Sequence, residues 1–233
     1  MKEYKVSIII PVFNEAELLP RLLKYLRKLD SKRNTEIIVV DGGSCDNSVK
    51  IAKEGADIAI SSTIKSRAHQ MNLGAEAATS SLLYFVHADV LPPINFLEKI
   101  VESHRNGSKI GCFRQKFEGN RLLLRINAFF TRFDYVWCRG GDQTLYVDKV
   151  LFDELNGYDE NYCMMEEYDF MKRAREITSF KILRESTIVS IRKYRTNSWL
   201  KIQLVNSKAI RLFKKGASPA EIRTFYKKAL KPY

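Results

Sequence analysis

Leu82, Leu83, Tyr84, Phe85 and Val86 run without polar alternation into His87 and Asp89. Such a run reads as a strand buried on both faces of a parallel sheet. His87 and Asp89 lie two apart, so in extended chain they point to one side, at the carboxyl end of the strand, where open α/β sheets bind ligands. Taken alone, the segment is more simply a surface turn before Pro92 and Pro93. Other acids share its setting: Glu15 after the first apolar run, Asp41 at the end of the second, and the pair Glu166 and Glu167 where a later helix opens. Carboxylates so placed accept hydrogen bonds from a ligand, hold a divalent cation, or take a proton from a reacting hydroxyl.

The elements that must position these acids alternate in short order. "KVSIIIPVF" is a strand; Asn14 is expected to cap the next helix, with Glu17 three residues on and Leu18, Leu19, Leu22, Leu23 and Leu26 as its apolar face. "TEIIVVD" and "ADIAIS" are strands, separated by a helix starting near Asp46, and "SRAHQMNLGAEAAT" is a helix before the opening strand. This βαβαβαβ order implies a parallel sheet covered by helices on both faces. Further on, "SKIGCFRQKF" reads as a strand, "NRLLLRINAFFTRF" as a basic amphipathic helix, and "GGDQTLYVDKVLFDELNGYDE" as loop, strand and helix ending at Gly157. "YCMMEEYDFMKRAREI" is a helix with acids at its start and bases at its end, the order the helix dipole favours. "FKILRESTIVSIRKY" gives two short strands. From Asn197 the chain is helical, with Trp199, Ile202, Val205, Ala209 and Leu212 on one face, a stop at Gly216 and a last helix capped by Ser218.

A length of 233 residues and an apolar content of 45% suit an ordinary globular core and exclude disorder. The first apolar stretch is broken by Pro11, Asn14 and Glu15, too early for a signal peptide or a membrane span, so a cytoplasmic protein is expected. Cys45, Cys112, Cys138 and Cys163 form no C-x-x-C pair and read as reduced, mostly buried thiols. The net charge of +12 suits nucleic acid, anionic lipid or a phosphorylated substrate alike, and no zinc-finger, RNP or basic-zipper pattern favours nucleic acid.

The acids become specific in combination: "SIIIPVFNE", "VVDGGSCDNS", "FVHAD" and "MEEYDFMKR" stand in that order. The chain resembles the family-2 inverting glycosyltransferases, and among them a short soluble group bearing an R-A-x-Q-M-N-x-G-A segment, here "RAHQMNLGA" from Arg67 to Ala75. The resemblance runs from Lys5 to about Arg195 and implies an α/β GT-A fold over residues 1–195. That fold has a mixed, mostly parallel sheet flanked by helices, followed by a helical extension at 196–233 packed on it or lying at a membrane surface.

What the resemblance implies can be placed residue by residue. Pro11, Glu15, Asp41, Gly42, Gly43, Arg67 and Gln70 are expected around the donor: Asp41 accepts from the nucleotide base, Gly42 and Gly43 let the backbone come close, Glu15 serves the ribose or base, and Arg67 pairs with the diphosphate or holds Asp41. "GGDQT" matches the sugar-pocket segment, with Asp142 and Gln143 as polar contacts. Asp89 matches the last acid of the family's D-x-D element and is the expected ligand of a divalent cation, Mn2+ or Mg2+. His87 stands where many relatives have the first Asp; it is either a helper at the metal or, more simply, hydrogen-bonded to a neighbouring loop. Relatives carry an E-D pair where this chain has Glu166 and Glu167, so Glu167 is expected as general base and Glu166 as its partner, with Asp169 facing another way.

The expected activity is transfer of a sugar, from a UDP-sugar as the expected donor, to an acceptor hydroxyl with inversion. The rivals are a sugar-1-phosphate nucleotidyltransferase, whose glycine-rich basic loop "PVFNEAE" lacks, and a catalytically idle protein that binds nucleotide sugars or polyanions. Arg121–Arg132 and Trp199–Lys215 are suited either to pack on the catalytic domain or to lie on an anionic membrane beside a lipid-linked acceptor, at the inner face.

Overall fold

The computed structural model of the chain describes residues 5–119, 121–135, 138–139, 143–162 and 164–231. The alternation read from the sequence is present: β1 (Val6–Val12), α1 (Leu19–Leu29), β2 (Thr35–Asp41), α2 (Ser48–Gly55), β3 (Ile58–Ser61), α3 (Arg67–Ala77) and β4 (Leu82–Phe85). After it come β5 (Val90–Leu91), α4 (Phe96–Arg105), β6 (Ile110–Phe117), α5 (Leu122–Phe130), β7 (Leu145–Asp148), α6 (Lys149–Glu154), α7 (Glu166–Ile177), β8 (Lys181–Val189), α8 (Lys193–Thr196), α9 (Trp199–Lys214) and α10 (Pro219–Ala229). They form one sheet in the order β3-β2-β1-β4-β7-β6-β8-β5. The β1–β2, β2–β3, β1–β4 and β6–β8 pairs are parallel, whereas β7 runs against both β4 and β6 and β5 runs against β8.

Residue alternation in the strands builds a core on each face of the sheet. Ile8, Ile10, Ile37 and Val39 meet Leu19, Leu22, Leu23 and Leu26 of α1 on one side. Ile9, Ile38, Val40 and Phe85 meet Ala68, Met71 and Ala75 of α3 on the other. The approach of α3 to β1 is close enough to require glycine: a Cβ on Gly74 would lie 2.4 Å from Ile9 Cγ2.

Three local expectations are corrected. Asn14 does not cap α1; it takes a left-handed turn at φ 55° that asparagine tolerates, and the helix opens at Leu19 and Pro20, whose fixed φ suits a first turn. The two strands expected after Phe180 are one, β8, interrupted by a bulge: opposite the consecutive Phe113 and Arg114 the register jumps from Leu183 to Ser186. Cys45 is exposed; Cys112 and Cys138 are buried as expected, and Cys163 lies outside the described residues.

The C-terminal helices carry a small cluster of their own, Ile202, Val205 and Leu230, with Tyr194, Phe225 and Tyr226 against it. Ser218 caps α10 as expected, accepting from the Glu221 N–H, and Gly216 at φ 75° ends the preceding helix.

Candidate active site

Because β1, β2 and β4 are parallel, their carboxyl ends share one edge of the sheet, and Glu15, Asp41, His87 and Asp89 all follow from it. Side chains lock the two loops at this edge to each other. Asn14 N–H donates to Ser44 Oγ at 2.8 Å, Glu15 N–H to Ser48 Oγ at 2.8 Å, Ala16 N–H to Asp46 Oδ2 at 3.0 Å, and Cys45 N–H to Asn14 Oδ1 at 2.9 Å. Asp41, the last residue of β2, is buried. Its Oδ2 accepts from Gly43 N–H at 2.8 Å and Ser44 N–H at 2.9 Å, while its Oδ1 is buried with no partner. A buried carboxylate oxygen left unmatched is costly, which makes Oδ1 ready to accept a hydrogen bond from a ligand. Gly43 sits at φ +84° with nothing near its missing Cβ, so the turn stays open above Asp41.

Gln70, expected among the donor contacts, is buried and gives its amide to the Val12 and Val40 carbonyls at 2.8 and 2.7 Å. It clamps the ends of β1 and β2, and so supports the edge on which Pro11 and Asp41 stand. Glu15 is held by Arg192, which follows β8: Nη1 reaches Oε2 at 2.7 Å and Nη2 reaches Oε1 at 2.6 Å. The same Nη2 lies 3.4 Å from Asp89 Oδ2, so one guanidinium bridges the two carboxylates. Nothing in the local pattern around Arg192 singled it out.

Arg67, expected to pair with the diphosphate or hold Asp41, reaches Glu166. Its Nε lies 2.8 Å from Glu166 Oε1, and this carboxylate is the anion that reconciles a cation with a helix start. Met165, left-handed at φ 71°, turns the chain into α7 without a side-chain cap and sets Glu166 and Glu167 in its first turn. Glu167 Oε1 lies 2.9 Å from His87 Nε2, which joins the helix to the strand edge. Burial is the chief reason that the Glu167 carboxyl is raised above its ordinary pKa; the His87 hydrogen bond opposes this and the charge of Glu166 adds to it. Burial works against a charged His87, yet the bond to Glu167 and its negative charge outweigh that and raise the imidazole. The two therefore titrate as a pair. Asp169 faces elsewhere, paired with Arg173 at 2.8 Å.

A cavity of about 650 Å3 begins at Arg67, Glu166 and Glu167 and extends between α5 and α9, where Asn127, Ser207 and Arg211 line it. Gln143 is buried with both ends of its carboxamide unpartnered, and Asp142 lies outside the described residues.

A divalent cation has a limited ligand set here. Among the described residues no three His, Cys, Asp or Glu side chains gather as a metal site. His87 Nε2 is committed to Glu167, leaving Asp89 as the carboxylate of the former D-x-D position. Mg2+ can be bound through one or two carboxylates with phosphate oxygens and water completing its shell, so Asp89 could serve such an ion only where the Arg192 guanidinium, 3.4 Å away, gives way to it.

Comparison with known proteins gives the arrangement its context. An undecaprenyl-phosphate 4-deoxy-4-formamido-L-arabinose transferase of Proteus mirabilis is 33% identical over 142 residues, covering 55% of this chain and 44% of that one, so the chain spans less than half that relative's length. The mannosyltransferase PcManGT of Pyrobaculum calidifontis, solved with GDP-Man and Mn2+, superposes with a TM-score of 0.70 at 18% identity over 91% of this chain and 65% of its own. S. aureus TarS 1-349 in complex with UDP gives 0.66 at 15% identity, covering 97% and 70%. At such identities the likeness is one of fold, and the fold is that of the GT-A glycosyltransferases. Residues 7–153 match the family described as Glycosyl transferase family 2, and the chain belongs to that family.

Proposed function

We propose that this glycosyltransferase moves a sugar from a UDP-linked donor to an acceptor hydroxyl in the cavity, with inversion at the anomeric carbon. The observation that carries the reading is Glu167: a buried carboxylate with a raised pKa, at the inner end of the cavity and tied through His87 to the edge bearing Asp41 and Asp89. A general base works best when its pKa approaches the working pH, and burial moves Glu167 that way.

Asp41 Oδ1 accepts an N–H from the nucleotide base, with Gly43 allowing the ring to approach and Pro11 and Glu15 flanking it, while Gly42 makes room for the Gln70 carboxamide, 3.0 Å from where its Cβ would lie. The UDP and GDP-Man of the solved neighbours support a nucleotide-diphosphate donor. Gln143 offers both a donor and an acceptor to sugar hydroxyls. Mn2+ or Mg2+ held at Asp89 would neutralise the charge that grows on the departing diphosphate. Glu167 takes the proton of the acceptor hydroxyl as its oxygen bonds to the anomeric carbon, and the bond to the diphosphate breaks on the opposite face. Arg67 holds Glu166 beside the base. A lipid-linked acceptor is supported by the undecaprenyl-phosphate relative.

Calorimetry with UDP-, GDP- and dTDP-sugars tests the donor assignment. Wild type is expected to bind a UDP-sugar, and Asp41→Ala to weaken that binding and raise the donor KM with kcat little changed, because a base contact is equally present in ground and transition states. A loss confined to kcat contradicts the role given to Asp41.

His87 favours the anionic form of Glu167, so removing it lets burial push the carboxyl higher still. Activity depends on deprotonated Glu167 and rises with pH through that pKa. In His87→Ala the acid limb of the kcat/KM profile is therefore expected to move to higher pH, with activity partly recovered on the alkaline side. An unmoved or downward-shifted limb shows that His87 does not tune the base.

A further inference from the structure

We infer that α5 and α9 form a face that docks this protein on an anionic lipid bilayer. On α5, Leu124 is buried, whereas Leu122, Leu123, Ile126 and Phe129 are between 43% and 70% exposed. Leu122, Ile126 and Phe129 recur at helical spacing and make one outward apolar stripe, with the exposed Phe133 in the turn that follows the helix. Packing accounts for α9 differently: Ile202, Val205 and Ala209 are buried, while Leu200 and Leu204, one turn apart, are 61% and 63% exposed. A second cavity of about 350 Å3, lined by Leu122, Leu123, Leu124, Tyr194 and Trp199, joins the starts of the two helices. Leaving so much apolar surface in water on two neighbouring helices marks an interaction site.

Charge selects the occupant. Arg121, Arg125 and Arg132 border the α5 stripe, Lys201, Lys208 and Arg211 stand exposed along α9, and neither 121–133 nor 199–217 contains an Asp or Glu. Two copies of such a face repel each other, whereas an anionic headgroup layer attracts it and receives its leucines and phenylalanine. Among the described residues no helix is long and apolar enough to cross a membrane. The cavity that reaches Glu167 runs between these two helices, so docking would present its outer end to the bilayer. That last consequence rests on the proposed acceptor site; the docking itself does not.

Co-sedimentation of the full chain with phosphatidylcholine vesicles, with and without roughly one third phosphatidylglycerol, tests the docking at physiological salt. Binding is expected only with the anionic lipid. Arg125→Gln is expected to weaken it about fivefold, and the combined Leu122→Ser, Ile126→Ser and Phe129→Ser variant by at least about tenfold. Donor binding by calorimetry should be unchanged in both, which separates failure of this face from failure of the catalytic reading. Equal binding to neutral vesicles, no binding to anionic ones, or full binding by the triple variant overturns the inference. So does a wild-type dimer in sedimentation velocity that the triple variant abolishes, which would make the face an interface between copies of this chain.

Discussion

In Glu167→Gln, sugar transfer is expected to fall by about two to four orders of magnitude, the usual worth of a positioned base, with donor affinity close to wild type. The amide keeps the size of the side chain, and its carbonyl oxygen can still meet a protonated His87 Nε2, so the connection from α7 to the strand edge survives. What disappears is the capacity to take a proton. A helix start lowers a carboxyl's pKa, and two features of this site oppose that: burial first, then the charge of Glu166. Glu167→Asp should retain more activity than Glu167→Gln, since it keeps the acid, although the shorter side chain must give up the 2.9 Å contact with His87. Parallel measurement of transfer rates and of donor binding by calorimetry checks both variants. Near-normal transfer in Glu167→Gln together with a dead Glu166→Gln would move the base one residue upstream.

Asp89→Ala is expected to lower turnover at least about a hundredfold, because the charge developing on the diphosphate then lacks its neutralising cation. The fold should survive: Asp89 stands at the site edge, and Arg192 keeps both of its hydrogen bonds to Glu15 when Asp89 is removed. Wild type treated with EDTA should lose activity to a similar extent, and the variant should lose little more. Full activity in Asp89→Ala, or wild-type activity undiminished by EDTA, removes the metal assignment. Melting temperatures of the variant and wild type, compared without donor, separate this loss from unfolding.

Local patterning alone makes the strand edge legible. Unbroken apolar runs ending in Asp41 and His87-Ala88-Asp89 read as strands buried on both faces, and in a parallel sheet their acids emerge at the same edge. Partnership across the chain was not legible. Glu15 and Arg192 are 177 residues apart and His87 and Glu167 are 80 apart, and no periodicity encodes which strand end a distant helix start will meet. The resemblance implies a ligand contact for Gln70. Its place beside Met71 on the buried side of α3 shows instead that it satisfies the Val12 and Val40 carbonyls at the strand ends. Asn14 carried the spacing of a capping box, yet Pro20 at the helix start and the lock between Asn14 and Cys45 decided the local geometry. The α5 sequence announced an amphipathic helix but not which way its apolar side would face, since that depends on what surface the rest of the fold leaves for it.

The most direct test is to supply UDP-sugars with Mn2+ and follow release of UDP and free or transferred sugar in wild type, Glu167→Gln and Asp89→Ala. The account predicts UDP release by wild type, largely lost in both variants while Glu167→Gln still binds donor. Tight donor binding without any release of UDP, or release of pyrophosphate when UTP and a sugar 1-phosphate are supplied in place of the UDP-sugar, would contradict it.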